Sequence, residues 1–280
     1  MKLRSAILFL AVSLLVVPAT AGNINEWGAR FSVGTEMKLA KGLDLSAGLL
    51  YSLNNDFRST DKTKFALDLS YRLFRNKSKK FNLKTSLGYE YSKERMPEKT
   101  EIKNKDIILD FNDNEYQEYN VTLTDAWWSP SHRVKFSLSG KLELGRFTLS
   151  LREMYRYIHT DRVDVNQAKS KFRYDEGLGT IALKDSVSYS VDSKGGDNDH
   201  ILRSKFEISY NIPHFKANPF IMAEVFNNVA SGFRLERIRY RAGFDMTFKK
   251  HNCLSIYYQF QNYVDQKFLH TPGIEYTYKF

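Results

Sequence analysis

Lysine and arginine recur at every second position in several stretches of the second half of the chain. Alternate residues of a strand point to one face, so each stretch would present its cations on one side, with a few carboxylates among them. Rings of such cations inside a pore favour anions and repel cations. If the strands close into a barrel with these charges inward, they form a lumen charge cluster. Its predicted members are Arg133, Lys135, Arg152, Arg156, Arg203, Lys205, Glu207, Glu224, Arg237, Arg239, Arg241, Asp245 and Glu275.

The same charges admit a second interpretation, in which they pair with one another and fill the interior of a narrow barrel. Each buried charge needs a partner, and this cluster contains both signs. An interior enclosed by about twelve strands is wider than that of barrels of about eight strands, which side chains fill, and narrower than open channels of about 16–18. The sequence therefore predicts a basic, largely charge-paired lumen with a structural role or a passive, anion-preferring passage for small solutes.

Catalysis by a Ser-His-acid site would need a suitably placed histidine. Five of the six histidines lie at strand ends or in loops, but His270 lies at the end of the last strand, on its apolar face. A lipid-modifying or lipolytic barrel enzyme could hold its base there. The sequence has no G-x-S-x-G motif, and Thr271 faces the other side. We therefore predict no catalytic residues and no enzymatic activity, with such an enzyme as the alternative.

Metal or cofactor binding is not indicated by the residue spacing. No pair of histidines has metal-ligand spacing, and Cys253, the single cysteine, has no partner. The acidic stretch 110–115, "DFNDNE", lacks the regular ligand spacing and the glycine of a calcium loop. We expect no metal and no cofactor, and we expect Cys253 to be a small interior filler.

The first residues resemble an export signal. Lys2 and Arg4 precede an apolar run over residues 6–17, and Ala19 and Ala21 follow in an A-x-A cleavage site, which predicts a signal peptide over residues 1–21. The apolar run is shorter than the about 20 residues of a spanning helix. Because the protein is expected to be exported, we expect no nucleic-acid partner despite the formal net charge of +10.

Alternation of apolar and polar residues is the dominant pattern of residues 22–280. It predicts strands of roughly ten residues, the length that a tilted membrane-spanning strand needs. The apolar face carries large side chains with aromatic residues near the strand ends, whereas the opposite face carries charges in mid-strand. These features favour an all-β, transmembrane, antiparallel up-and-down barrel over a soluble sandwich. Eleven strands are clear: 27–39, 43–53, 65–73, 81–91, 134–142, 147–157, 202–210, 219–227, 235–248, 254–263 and 269–280.

Two long polar inserts, 94–115 and 159–199, interrupt this pattern. Bacterial barrels normally have an even number of strands, with short periplasmic turns and long outer loops. Counting back from a periplasmic Phe280 puts 159–199 outside, but eleven strands would also start the first strand outside. We therefore predict about twelve strands, with ten or fourteen as alternatives, and assign the hidden strand to 116–128. The insert 94–115 then becomes an unusually long periplasmic segment.

Glu153 conflicts with the alternation, because it falls on the apolar face of the strand 147–157. A carboxylate that faces lipid is unfavourable, although less so than Lys or Arg. A β-bulge near Arg152 would turn this side chain away from lipid. The sequence therefore predicts a bulge at this point.

Several short motifs occur in a familiar order, and through them the chain resembles a known family. They are "GY" at 88–89, "HR" at 132–133, the pair Arg152 and Arg156, "LRSK" at 202–205, "PFIMAEVF" at 219–226 and "RYRAG" at 239–243. The chain resembles, over nearly all of its length, the exported bacterial barrels of domain-of-unknown-function family 2490. The resemblance implies an outer-membrane barrel of Gram-negative bacteria with no established substrate or catalytic residues.

The chain ends in "GIEYTYKF", residues 273–280. Ile274, Tyr276, Tyr278 and Phe280 share one face, as in the terminal-strand signal by which outer-membrane barrels are recognised for assembly. We therefore expect this strand to engage the barrel assembly machinery and to pair with the first strand, so that no open edge remains. The expected environment is the outer-membrane lipid, and the expected state is a monomer.

Overall fold

The computed structural model describes residues 24–280 except 55, 79, 110–114, 176–179, 184–185 and 265–266, and the predicted signal peptide lies outside this range. The described residues form β-strands and turns. None of them forms a helix with the length and hydropathy of a membrane span. Contacts divide the described residues into two units: a barrel, with residues 24–92, 132–159 and 198–280, and a second unit, with residues 93–131 and 160–197.

Eleven strands close the barrel, and a short strand at the chain start joins the same sheet. Each of the eleven stretches predicted from alternation falls in this wall, so the prediction of an all-β barrel of about twelve strands is confirmed. The strands, in the order in which they pair around the wall, are β2 (Ala29–Ala40), β3 (Leu43–Asn54), β4 (Ser59–Arg75), β5 (Phe81–Met96), β8 (Trp127–Leu144), β9 (Phe147–Thr160), β13 (Asn198–Tyr210), β14 (Ala217–Asn228), β15 (Arg234–Phe248), β16 (Asn252–Tyr263) and β17 (Lys267–Lys279).

The barrel closes by a parallel seam, which differs from the fully antiparallel barrel predicted. Strand β17 pairs in parallel with β2 and with the short strand β1 (Ile24–Trp27). An odd number of up-and-down strands leaves the first and the last strand running in the same direction, so their pairing must be parallel. Gly28 separates β1 from β2, and its N–H donates to the carbonyl of His270 at 2.8 Å. A Cβ at Gly28 would lie 2.3 Å from the carbonyl oxygen of Leu53, so the close approach of these strands requires glycine.

Five short connections lie at one end of the barrel, here called the short-turn end, and both long inserts start from the other end. Tight connections at 41–42, 76–80, 145–146, 211–216 and 249–251 lie at one end, where Phe280 also lies. Strands β5 and β9 both run toward the other end, where the chain leaves the barrel unit after residues 92 and 159. The inserts 94–115 and 159–199 therefore start from the same end, and the expectation that 94–115 lies opposite to 159–199 is wrong.

The predicted twelfth strand at 116–128 is not a strand of the barrel. Most of it forms a strand of a separate five-stranded sheet, and Trp127 and Trp128 already begin β8. The even-number rule failed because the parallel seam removes the need for a twelfth strand. The strands of the separate sheet are β6 (Lys99–Leu109), β7 (Glu115–Thr124), β10 (Val163–Asp175), β11 (Thr180–Leu183) and β12 (Ser188–Lys194).

The insert 159–199 pairs with the predicted hidden strand 116–128 in the second sheet. Strand β10 is antiparallel to β7, with Gln167 opposite Thr124. The buried Gln167 side chain donates from Nε2 to Thr124 Oγ1 at 3.2 Å and to a carboxylate oxygen of Asp192 at 3.0 Å. Lys194 donates to Asp192 and thereby lowers the pKa of that carboxyl. Polar cross-strand bonds thus join segments that are far apart in sequence.

Candidate functional site in the barrel lumen

Inward side chains of the barrel enclose a cavity of about 400 Å³. One wall carries the small residues Gly34, Gly48 and Ala66 on β2, β3 and β4, which leave space for long side chains from the rest of the barrel. In the part of the chain that the structure describes, nine lysines and arginines line this basic cavity against four carboxylates. The cations are Arg30, Lys62, Lys64, Arg133, Arg156, Arg203, Arg237, Arg239 and Arg241, and the carboxylates are Glu36, Asp68, Glu90 and Glu275.

Glu224 lies at the centre of one group of charges. Its side chain is 2% exposed and forms ion pairs with Arg203 at 2.7 Å, Arg239 at 3.0 Å and Arg152 at 3.3 Å. The guanidinium of Arg239 also donates from Nε and from a terminal nitrogen to Gln261 Oε1, at 3.1 and 2.9 Å. A buried carboxylate with several charge-assisted hydrogen bonds can offset its desolvation. One carboxylate therefore serves three cations from three strands.

Glu90 is the centre of a second, similar group. It pairs with Arg133 at 3.0 Å, Lys64 at 3.3 Å and Lys135 at 3.7 Å. Lys135 also contacts Asp68 at 2.9 Å. This group lies on β4, β5 and β8, whereas the Glu224 group lies on β9, β13, β14 and β15. The ion pairs of both groups join strands that are adjacent or separated by one strand, so they line the wall.

Three arginines pack against the ring of Phe226. Its side chain is fully buried in the lumen, and the guanidinium carbons of Arg237, Arg203 and Arg239 lie 4.3, 4.7 and 4.8 Å from the ring centroid. Cation–π contacts of this kind partly offset the desolvation of each guanidinium. They add no negative charge, so the excess of positive charge remains.

A neutral bridge crosses the seam region of the lumen. Arg30 donates to Gln259 Oε1 at 3.0 Å, and Arg241 donates from Nε to the same oxygen at 2.8 Å. Gln259 is fully buried. Two cations thus share one uncharged acceptor, which orients them but does not neutralise them.

A second cavity, of about 700 Å³, contains three acidic residues of the predicted lumen cluster. It is lined by Glu207, Asp245 and Glu275, and by Cys253, which contacts Thr247 at 3.8 Å. Lys205 pairs with Glu207 at 2.8 Å. This acidic cavity lies toward the short-turn end of the barrel, because its lining includes residues of the turns at 145–146 and 211–216. The lumen charge is therefore unevenly distributed along the barrel.

All thirteen residues of the predicted cluster lie on barrel strands, and the structure brings most of them into these two cavities. Residues on β2, β4 and β5 that complete the Glu90 group and the seam bridge were missed. Lys62 and Lys64 lie in the same phase of the alternation as the predicted cations. Extending that phase to the first half of the chain would have found them.

The bulge predicted near Arg152 does not occur in the pairing of β9 with β13. The pairing of β9 with β13 runs without a register shift from His159 opposite Asn198 to Phe147 opposite Tyr210. Glu153 stays on the outward face, where Ser204, directly opposite, donates to its Oε2 at 2.7 Å. This cross-strand hydrogen bond satisfies one carboxylate oxygen without any change of backbone phase.

Three histidines of the barrel occupy equivalent places on its outward face. His132, His200 and His270 each hydrogen-bond through Nδ1 to the hydroxyl of a tyrosine on the neighbouring strand. The tyrosines are Tyr89, Tyr155 and Tyr258. Trp27 stacks on His270 with ring centroids 4.9 Å apart. The three pairs lie near the end of the barrel opposite Phe280 and form an aromatic group there.

The last strand places its predicted aromatic residues outward. Tyr276 donates to Asn252 Oδ1 at 2.6 Å, and Tyr278 stacks on His251 with centroids 6.0 Å apart. Phe280 is 70% exposed and packs edge-to-face on Tyr278. Its N–H donates to the carbonyl of Glu36 at 2.9 Å, so the seam extends to the end of β17.

Comparison with known proteins identifies a family but no function. The family model described as "Protein of unknown function (DUF2490)" matches residues 31–268. No curated protein matches the sequence. Among solved structures, the translocator domain of the autotransporter NalP from Neisseria meningitidis is similar with 10% identity and a TM-score of 0.28, over 93% of this chain and 89% of that chain.

Proposed function

The chain belongs to the DUF2490 family of proteins of unknown function, and on that premise we propose that it is a monomeric outer-membrane β-barrel of Gram-negative bacteria that passes small anions. The proposal combines an apolar exterior with a basic lumen. Its orientation puts the end with Phe280 in the periplasm and the end from which both inserts start outside. Export by the signal peptide and recognition of β17 by the assembly machinery are parts of the same proposal.

Large apolar side chains on the outward face support a location in lipid. Soluble monomers rarely expose apolar patches beyond a few hundred Å², whereas a closed barrel satisfies its backbone hydrogen bonds in lipid. The aromatic group with three histidines fits an interfacial girdle. Representative exposed residues, drawn from ten of the eleven wall strands, are Val33, Leu49, Leu67, Leu87, Phe136, Leu151, Phe206, Phe244, Ile256 and Ile274.

The excess of cations around the basic cavity is the observation that carries the anion preference. Glu224 and Glu90 are each already shared by three cations, and Arg30 and Arg241 share a neutral acceptor. A lumen of this kind has a positive potential, which admits anions and excludes cations. Ion pairs that follow the wall, rather than cross the lumen, are compatible with passage.

The surroundings of His270 fit a structural role for this side chain better than a catalytic role in a lipid-modifying enzyme. Its Nδ1 is engaged by Tyr258, and its ring is covered by Trp27 on one side. Two other pairs of strands, elsewhere in the wall, repeat the same Tyr–His arrangement at His132 and His200. A catalytic base would need an environment of its own, whereas this arrangement occurs three times. The repetition therefore fits an interfacial girdle.

Planar-bilayer recording of the full-length protein tests this proposal. Under a KCl gradient we expect step currents whose reversal potential has the sign of anion preference. Absence of step currents, or a reversal potential of the opposite sign, would remove the pore function. Membrane fractionation of the producing cell tests the location separately, and recovery outside the outer membrane would contradict it.

A further inference from the structure

Arg156 is a deeply buried cation that faces the basic cavity. It is 6% exposed and lines the cavity wall on β9. Its Nε has no hydrogen-bond acceptor among the described residues, and no described carboxylate forms an ion pair with it. Burying a guanidinium in this way is costly unless an anion compensates it.

Other arginines increase this need for negative charge. Arg203, Arg133 and Arg237 lie near enough to repel Arg156 electrostatically, and the carboxylate that attracts it, Glu90, already pairs with three other cations. Within the described part of the chain, the Nε atoms of Arg203 and Arg237 also lack acceptors. Arg237 makes one side-chain hydrogen bond, to the neutral hydroxyl of Tyr263 at 3.3 Å. Four guanidinium groups therefore converge where the nearest carboxylates already serve three cations each.

The chemistry of these groups indicates the ligand. Planar guanidinium groups bind carboxylate and phosphate oxygens through paired N–H donors. Several converging arginines favour a ligand with more than one negative charge, and a phosphoryl group carries nearly two at pH 7 with three acceptor oxygens. The small residues Gly34, Gly48 and Ala66 line the wall of the same cavity. Its volume of about 400 Å³ is in the range of small-molecule pockets.

We propose that Arg156, together with Arg203 and Arg237, binds the phosphoryl group of a small phosphate-bearing solute inside the barrel. This inference rests on the proposed anion passage and names the class of anion that it favours. Binding at one site in the lumen would slow the passage of that solute at high concentration and would make its flux saturable.

Calorimetric titration of the full-length barrel in a non-ionic, phosphate-free detergent tests the site. The ligands are inorganic phosphate, glycerol phosphate, succinate and chloride at equal ionic strength. We expect both phosphates to bind at least about tenfold more tightly than succinate, and Arg156→Gln to weaken them at least about tenfold. The matched control, Arg146→Gln, removes the same charge from an exposed turn of the acidic cavity and should leave both affinities unchanged.

The relative affinities of glycerol phosphate and inorganic phosphate distinguish a phosphomonoester from free phosphate as the ligand. Tighter binding of glycerol phosphate than of inorganic phosphate identifies a phosphomonoester solute, and equal binding identifies free phosphate. If Arg156→Gln fails to fold, as judged by heat-modifiable migration, Arg237→Gln replaces it. Succinate binding as tightly as phosphate, or an affinity unchanged in the variant, overturns the site.

Failure of the site is distinguishable from failure of the pore. Calorimetry in detergent requires no conduction, so phosphate binding without step currents supports the site and removes passage. Anion currents without preferential phosphate binding have the opposite meaning: they support passage and remove the site.

Discussion

Replacing Glu224 by glutamine removes the buried negative charge that three arginines share. The ion pairs to Arg203, Arg239 and Arg152 measure 2.7, 3.0 and 3.3 Å, and the side chain is 2% exposed. Breaking a buried ion pair costs about 3–5 kcal/mol, whereas the remaining amide oxygen can keep one hydrogen bond, worth about 1 kcal/mol. We therefore expect Glu224→Gln to lower the free energy of unfolding by about 2–4 kcal/mol.

Urea unfolding of the barrel in lipid vesicles, followed by tryptophan fluorescence, measures this change. Glu207→Gln is the matched control, because it removes the same charge from a more exposed carboxylate that pairs with Lys205 at 2.8 Å with side chains 26% and 22% exposed. Pairs that water screens contribute at most about 1 kcal/mol, so the control should lose no more than that.

The comparison of these two variants decides whether the Glu224 group holds the wall together. Equal losses in both variants would refute the reasoning, because burial and the number of cationic partners would then have no effect. A gain in stability for Glu224→Gln would refute it more strongly, since the three arginines would then need no shared counter-charge.

Three further predictions concern the seam, the last residue and the outward face. Gly28→Ala should lower the free energy of unfolding by about 1–3 kcal/mol, because its Cβ would lie 2.3 Å from the carbonyl oxygen of Leu53. The control Gly48→Ala, whose Cβ would approach no atom closer than 3.7 Å, should change the free energy of unfolding little. Equal effects of the two substitutions in urea unfolding would contradict this. Removing Phe280 should impair assembly, and a normal amount of heat-modifiable barrel in the outer membrane of that variant would show the prediction to be wrong. Glu153→Leu should stabilise the barrel in vesicles by about 1–2 kcal/mol, since it removes a carboxylate from the apolar exterior; a loss of stability would instead show that the carboxylate is needed.

The barrel wall was predictable because its two faces meet different surroundings. Each predicted stretch alternates large apolar residues with polar ones, as between Val33 and Glu36 or between Phe206 and Glu207, and every one of them lies in the wall. The position of the lumen charges follows from the same alternation. The alternation does not show which carboxylate pairs with which cation. That pairing depends on the register between strands, as between Arg152 on β9 and Glu224 on β14.

The strand count and the second sheet could not be read from the alternation. The predicted even number of strands came from a general rule for bacterial barrels. The parallel pairing of β17 with β2 instead depends on how the chain closes in space. The second sheet forms by pairing residues near 120 with residues near 170, and polar segments carry no pattern that specifies such distant partners. Glu153 shows a further limit, since the sequence reveals an unfavourable position but not that Ser204 lies opposite.

The parallel seam has a consequence for rearranging the chain. In a barrel with an even number of strands, the two chain ends meet at one rim, and a short turn could join them in a circular permutant. Here β1 begins at one rim and β17, with 13 residues, ends at the other, so a linker would have to cover about 40 Å of wall. In the membrane location that we propose, reporters fused before β1 and after β17 would therefore lie on opposite sides of the bilayer.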